Sequence, residues 1–372
     1  MRVLMLSKAC IVGIYQRKLE HIAQYDVELL TLVPPSWKDE RGEQLLERVF
    51  TDGYRLQETR IALNGNFHLH FYPELWDYVE RFRPHIIHID EEPYNLATWE
   101  AMFVARYFGA KTLFFSWQNI TRDYPPPFSW GESWVLKNAD FALMGTDSAG
   151  EVWREKGYTG QMQTIPQFGT DPDLFKPYQR PQRPFTIGYF GRLVEEKGVH
   201  LLLEAASHLP DDWQIRLVGG GPLADDLANF THELGIAERV TWVGQIPSTE
   251  MPQQFKEIDV LVLPSLTRDN WKEQFGRVLV EAMACSLPVI GSDSGAIPGV
   301  IGSGGLVFPE GDIDALAKHL HDLQHSADLR DILGEAGRKR VLENFTHEKI
   351  AEATVLVYKQ LYREYLQPQS TY

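Results

Sequence analysis

Cysteine is scarce in this chain. Cys10 and Cys285 are the two in 372 residues, too few for a disulfide framework and without the C-x-x-C spacing of a zinc or redox site. Both are expected as small core residues in a reducing compartment. Long apolar runs are missing too: no stretch approaches the ~18 residues that span a bilayer. The opening MRVLMLSKACIVGIYQRKLEH breaks its apolar run at Lys8, which predicts a first strand and not a signal peptide. Cations are outnumbered, 36 Lys and Arg against 51 Asp and Glu, for a formal charge of −15. That balance argues against wholesale binding to nucleic acid or anionic membrane. An anionic ligand must then be held by a few placed cations, while a local, peripheral membrane contact stays open. A cytoplasmic protein is expected, in which the N-x-T triplets at Asn119, Asn229 and Asn344 are silent.

What is present is a chain that can bury large cores. With 44% hydrophobic and 12% aromatic residues, its length fits two domains. Short β-rich runs alternate with helical patterns throughout, the pattern of parallel sheets covered by helices. In the first half the predicted strands are RVLML (2–6), VELLTLV (27–33), HIIHI (85–89), KTLFFS (111–116) and FALMG (141–145), with helices such as 73–83 and 96–108 between them. A proline-rich stretch, DPDLFKPYQRPQRP (171–184), predicts a linker. A second series follows: FTIGYF (185–190), WQIRLVG (213–219), RVTWVG (239–244), DVLVLPS (259–265) and PVIGSD (288–293). The expected domains are 1–175 and 176–345, each Rossmann-like, with 346–372 as a C-terminal helix crossing back to the first. Such α/β sheets bind ligands at the carboxyl ends of their strands, here expected on the two sides of a cleft.

Three motifs fall at strand ends. Gly191-Arg192 follows the strand 185–190, and Lys197 stands five residues on near a helix start; two cations beside free helix N–H groups suit a diphosphate. As an isolated pair they would serve equally as surface charges. GGGPLA (219–224) matches G-x-G-x-x-A after a strand, but in the domain's second strand and with no strand-end acid for a ribose. Its glycines would serve equally for a tight turn. In EQFGRVLVEAMA (273–284), Glu273 lies in a loop and Glu281 on a helix beginning near Arg277, about 80° apart on a helical wheel, which excludes a single acid–base pair. Gly276 lets a ligand approach, and the N–H groups of Gly276, Arg277 and Val278 make a helix N-terminus. Glu281 stands among Val278, Leu279, Val280 and Ala282, so burial is expected, and a buried carboxylate needs partners.

GYFGRLVEEKGVHLLLEA, LVGGGP, VTWVGQI, VLVLPS, EQFGRVLVEAMACSLPVIGSDSGAIPGVI and GLVFPEGD resemble, in order and spacing, the group 1 glycosyltransferases, retaining enzymes of the two-Rossmann GT-B fold with an E-x7-E motif. In the first domain the resemblance is thinner, resting on Gly13, ADFALMGTDSAGEVWREKGY and TIPQFGTDPDLFKP. It implies transfer of a sugar, without metal or other cofactor, from a nucleotide-sugar, UDP- or GDP-linked, to a glycan, lipid-linked or small-molecule acceptor. Arg192 and Lys197 would hold the diphosphate, Glu273 with Phe275 and Gly276 the sugar, Arg277 and Val278 the phosphate, and Glu281 the ribose. Gly13 would adjoin the donor, and Gly244, Gln245 and Ile246 would border the base. Many members carry a His after the strand here written KTLFFS; this chain has Gln118 and Asn119 there, which can bind a sugar hydroxyl without titrating.

Acceptor binding is expected in the first domain, at Trp117, Tyr124, Trp130 and His88, with Phe128 and Trp134 nearby. Core packing is preferred for Trp134, and a structural role weighs at least equally for His88, which shares a strand end with Asp90. Arg17, Lys18 and His21 form a small basic face, expected to be solvated. The rival readings are a sugar-nucleotide epimerase or phosphorylase, an NAD(P)-linked oxidoreductase suggested by GGGPLA, and a donor-binding module without catalysis.

Overall fold

The computed structural model describes residues 1–39, 42–179, 183–210, 212–247 and 250–367. The chain divides into two compact units, Met1–Gly169 with His347–Tyr372, and Thr170–Thr346. Positions 368–372 of the expected C-terminal segment and 180–182 of the proline-rich stretch lie outside the described residues.

The first unit holds β1 (Arg2–Leu6), β2 (Glu28–Val33), a hairpin of β3 (Ser36–Asp39) and β4 (Gly42–Leu45), then β5 (Arg55–Glu58), β6 (Ile86–Ile89), β7 (Lys111–Ser116), β8 (Phe141–Met144) and β9 (Gln161–Thr164). Seven strands form one parallel sheet in the order β5-β2-β1-β6-β7-β8-β9. Successive side chains of a strand point to opposite faces. Leu4, Leu6, Ile87 and Ile89 therefore feed one core, and Val3, Met5 and Ile86 the other. The second core is closed by the helix His347–Leu366, whose Ile350, Val355, Val357, Tyr358 and Leu361 are buried on it.

The second unit repeats the architecture with β10 (Phe185–Phe190), β11 (Trp213–Val218), β12 (Val240–Trp242), β13 (Val260–Leu263), β14 (Val289–Ser292) and β15 (Gly305–Phe308), all parallel, in the order β12-β11-β10-β13-β14-β15. In each sheet the chain lays strands outward on one side and then returns to the middle. The reversal falls between β1 and β6 in the first and between β10 and β13 in the second. Carboxyl ends at such a reversal leave a crevice for ligands.

The units divide ahead of the proline-rich stretch and not within it. Phe175 is buried in the second unit's core, Tyr178 packs against it, and the Tyr178 hydroxyl donates to the Phe255 carbonyl. Aromatic side chains between the prolines thus give that segment a place in the second unit. Among the described residues, no helix is long and apolar enough to cross a membrane.

Candidate functional site

The second unit assembles a charged cluster at its β10/β13 reversal. Two backbone approaches build it. Gly198, with φ +60°, opens the helix Val199–Ser207, and a Cβ there would stand 2.1 Å from the Pro264 carbonyl oxygen. Leu266 N–H donates to the Glu196 carbonyl at 2.8 Å. The loops after β10 and β13 are therefore laced together, which sets Lys197 beside Ser265. On the other side Gly295, with φ +54°, lets the loop after β14 meet Glu273: Ala296 N–H donates to the Glu273 carbonyl at 3.0 Å, and a Cβ on Gly295 would lie 2.2 Å from that oxygen.

Held this way, the Glu273 carboxylate takes an ion pair from Lys197 and a 2.9 Å hydrogen bond from the Ser265 hydroxyl. Glu273 is buried. The Lys197 ammonium also lies 4.8 Å from the centre of the Trp271 ring, a position in which the π-face favours the cation. Arg192 is freer: its guanidinium is 54% exposed and 3.4 Å from Glu196. Glu281 is buried on the helix Arg277–Ala284 and pairs with Arg277 at 3.1 Å. Burial raises its carboxyl above the usual range, against the pull of the Arg277 guanidinium. The two glutamates of the motif thus have separate cations, and one site holds Lys197, Glu273, Ser265 and Trp271.

Other second-unit expectations meet mixed outcomes. Gly244 is exposed with φ +62°, and its carbonyl accepts from Gly219 N–H at 2.7 Å; Gln245 is exposed and Ile246 packs on the core. Gly276 precedes the helix in a left-handed conformation, Val278 packs on the core, and Phe275 meets the edge of Phe345 with centroids 5.8 Å apart. The run Gly219–Gly221 has a packing explanation. Cβ atoms on Gly219 and Gly221 would strike the carbonyls of Gly191 and Leu193 at 1.9 and 2.3 Å. The glycines seat the β11 loop on the Gly191–Leu193 turn.

In the first unit a buried polar network occupies the β1/β6 reversal. The Ser7 hydroxyl donates to Asp90 at 2.6 Å, Gln167 donates to the other Asp90 oxygen at 2.9 Å, and Lys8 pairs with Glu91. Burial raises the Glu91 carboxyl, but the Lys8 ammonium and His70 outweigh it and hold it at about 2. Glu92 accepts from the Ser116 hydroxyl at 2.5 Å and from Trp117 N–H at 2.8 Å, and loss of solvent pushes it up to about 7. This carboxylate orients the loop that carries Gln118 and Asn119. Both amides are buried, with Gln118 Nε2 donating to the Ile120 carbonyl at 2.9 Å. The sequence singles out Asp90 in this network; the side chains that meet it come from segments far away in the chain.

Two first-unit expectations, at His88 and Lys18, need correction. His88 is 1% exposed and its Nδ1 meets the Tyr358 hydroxyl at 2.6 Å, because β6 turns it toward the C-terminal helix. It is a core residue and cannot reach an acceptor. Lys18 is no solvated cation: it is buried and donates to the Gln167 carbonyl at 2.7 Å. Gly13 spends its N–H on the Glu47 carboxylate at 2.6 Å, and a Cβ there would strike Val49 at 2.3 Å. The Trp117 ring fills the space over Gly145, where a Cβ would lie 2.0 Å from it, and its indole N–H donates to Gln167 at 2.8 Å. Tyr124 packs on Tyr94, centroids 4.6 Å apart. Trp130 is 70% exposed, while Trp134 packs on the core.

Residues 170–340 match the profile of glycosyl transferases group 1. A sulfoquinovosyl transferase of Arabidopsis thaliana is 27% identical over 296 residues, covering 72% of this chain and 55% of the relative. A GDP-mannose-dependent alpha-(1-6)-phosphatidylinositol monomannoside mannosyltransferase of Mycolicibacterium smegmatis is 33% identical over 190 residues, 48% of this chain and 50% of the relative. The chain spans about half the length of these curated relatives. A sucrose-phosphate synthase structure from Thermosynechococcus elongatus superposes with a TM-score of 0.71 at 23% identity, over 98% of this chain and 100% of that one, and so shares the two-Rossmann, GT-B fold. The second unit, with its Lys197–Glu273 cluster, is thus similar to the group 1 glycosyltransferases over nearly its whole length.

Proposed function

We propose that the chain is a retaining glycosyltransferase that moves a sugar from a nucleoside-diphosphate sugar to an acceptor hydroxyl, with no metal required. The observation that carries this reading is the ion pair of Lys197 with the buried Glu273 at the β10/β13 reversal, with the exposed Arg192 five residues before Lys197. Lys197 and Arg192 are the cations for the diphosphate. Glu273 fixes Lys197 and offers its oxygens to sugar hydroxyls, and Glu281 does the same for the ribose. In the reaction the bond from the anomeric carbon to the phosphate oxygen breaks. The acceptor oxygen bonds to that carbon from the same face, and the acceptor's proton passes to the departing phosphate. Negative charge grows on the leaving group, so cations fixed in advance lower the barrier more than they tighten the ground state. The close approach of Gly219 and Gly221 to the Gly191–Leu193 turn accounts for these glycines without a dinucleotide.

Melting-temperature shifts with UDP-, GDP-, ADP- and dTDP-sugars test donor binding, since a ligand of the folded state raises its stability. Release of nucleoside diphosphate, with the anomer of the product read by NMR, tests the reaction. Arg192→Ala is expected to slow transfer about 100-fold or more, the usual scale for removing one donor to developing charge, with a small change in donor affinity. Glu281→Ala is expected to weaken donor binding about 10-fold or more, the worth of a charged hydrogen bond. Binding of NAD(P) with no response to any nucleotide-sugar would sink the reading.

A further inference from the structure

Between Ser265 and Glu273 runs a polar loop, TRDNWK (267–272), whose one aromatic residue is Trp271. Its backbone is fixed without the indole. Thr267 gives its N–H and its hydroxyl to the two carboxylate oxygens of Glu310, and Arg268 and Trp271 exchange N–H to carbonyl hydrogen bonds at 2.8 and 3.1 Å. The Arg268 guanidinium pairs at 2.9 Å with Glu195, in the short helical turn Glu195–Lys197. Loop and turn are thereby joined through backbone and polar groups, whatever side chain stands at position 271.

What the indole adds is a face for a cation. It is half-buried and, among the described residues, not part of the second unit's apolar core. The Lys197 ammonium lies 4.8 Å from its centre, on a side chain only 14% exposed. At that distance the ring quadrupole attracts the charge, the more so where water is excluded. Unlike the carboxylate of Glu273, the ring brings no charge of its own and no directional bond that must be broken.

That difference bears on the transfer itself. Under the transferase reading Lys197 holds the diphosphate and Glu273 accepts sugar hydroxyls, yet the two are bonded to each other. The ammonium must therefore turn from carboxylate to phosphate. A lysine let go by a carboxylate regains its rotamer freedom, whereas one resting on a ring keeps its place. We propose that Trp271 is a positioning residue: its indole face holds the Lys197 ammonium while that cation passes from Glu273 to the donor diphosphate. The proposal rests on the transferase reading and on geometry within the second unit. A packing role would make the ring's effect follow its volume; the proposed role makes it follow the electron density of the face and the charge of Lys197.

Titration calorimetry of the full chain with UDP, GDP, ADP and dTDP tests it, with release of the diphosphate from UDP-glucose, GDP-mannose, ADP-glucose and dTDP-glucose as the second readout. Trp271→Leu is expected to weaken the diphosphate that binds about 10-fold and to slow turnover at saturating donor by a similar factor, the scale of a shielded cation–π contact. Trp271→Phe should fall between Leu and wild type. With Lys197→Met already present, Trp271→Leu should change affinity by less than about 2-fold, because the partner of the coupling is gone. The chain has ten tryptophans, so mono-, di- and tetrafluorotryptophan are placed at 271 alone by codon suppression. Each fluorine draws density from the ring and nearly keeps its shape, so the logarithm of affinity should fall stepwise with fluorine number. This series carries the test by itself if the Lys197→Met chain does not fold. Equal effects of Trp271→Leu with and without Lys197, or a flat fluorine series in a chain that binds and turns over its donor, overturn the proposal and leave the ring as packing. A chain that binds none of the four diphosphates overturns the transferase reading, and this role with it.

Discussion

At the scale of single residues, the chain uses carboxylates in three different electrostatic settings. Glu273 is buried but receives a cation and a hydroxyl; Glu91 is buried and held ionised by Lys8 and His70. Among the described residues Glu92 receives two hydrogen bonds and no cation at contact distance, and desolvation wins, raising it to about 7. Glu100, which accepts from Tyr72 N–H at 2.8 Å, is likewise raised to about 7 by burial. A carboxyl raised in the folded state loses its proton first in the unfolded chain. Its stabilisation is therefore complete below about pH 4.5 and is lost as pH rises toward 7. Glu92→Gln mimics the protonated group and removes that loss. In urea unfolding, the variant's stability relative to wild type is expected to be higher at pH 8 than at pH 5 by about 1–2 kcal/mol, a figure discounted for the group's residual contact with solvent. An identical difference at both pH values would show that Glu92 does not titrate in this window.

Elements differ in how far the sequence foretells them, and the reason is burial. RVLML, KTLFFS and FTIGYF match β1, β7 and β10 residue for residue, since a central parallel strand is covered on both faces and must be apolar along its length. The edge strands β5 and β9, RLQE and QMQT, are largely exposed and carry no such run. The helices Arg277–Ala284 and His347–Leu366 begin where the residues predict, yet their partners are less legible. The cations of the site were visible because they stand in a motif after a strand. The pairing of Lys197 with Glu273, and the Trp271 ring beneath it, depend on how three loops cross, which periodicity does not encode. His88 illustrates the same limit: its partner Tyr358 is on a helix 270 residues later. That buried contact gives an element-scale prediction. Tyr358→Phe leaves His88 Nδ1 without its hydroxyl and should destabilise the first unit by about 1–3 kcal/mol in denaturant unfolding. Donor-dependent nucleoside diphosphate release at saturating substrate should stay near wild type. A large loss of rate with unchanged stability would return His88 to the reaction.

For the whole molecule, the chain order and the unit order disagree, and this has a consequence for stability. The chain leaves the first unit at Gly169, builds the second, and returns for a last helix. Within the second unit the entry and exit segments lie side by side, bridged at Thr170 and Thr346, with Thr170 N–H donating to the Phe345 carbonyl at 2.8 Å. The second unit therefore closes on itself without the helix, whereas the first unit's core on the Val3, Met5 and Ile86 side does not. Ile350, Val355, Val357, Tyr358 and Leu361 cover Val3, Met5, Ile86, Leu113 and their neighbours. Burying each large apolar side chain contributes about 1.5–3 kcal/mol, so five together approach about 10 kcal/mol, as much as the net stability of an ordinary domain. A chain ending at Thr346 should accordingly lose the first unit's cooperative unfolding transition and bind the dye ANS through the exposed sheet face. The second unit's transition should survive and still rise in temperature with the nucleotide that stabilises the full chain, because Arg192, Lys197, Glu273 and Glu281 all lie within it. Calorimetry of the full and shortened chains decides the matter: two transitions persisting in the shortened chain would mean that the helix adds little to the first unit's core.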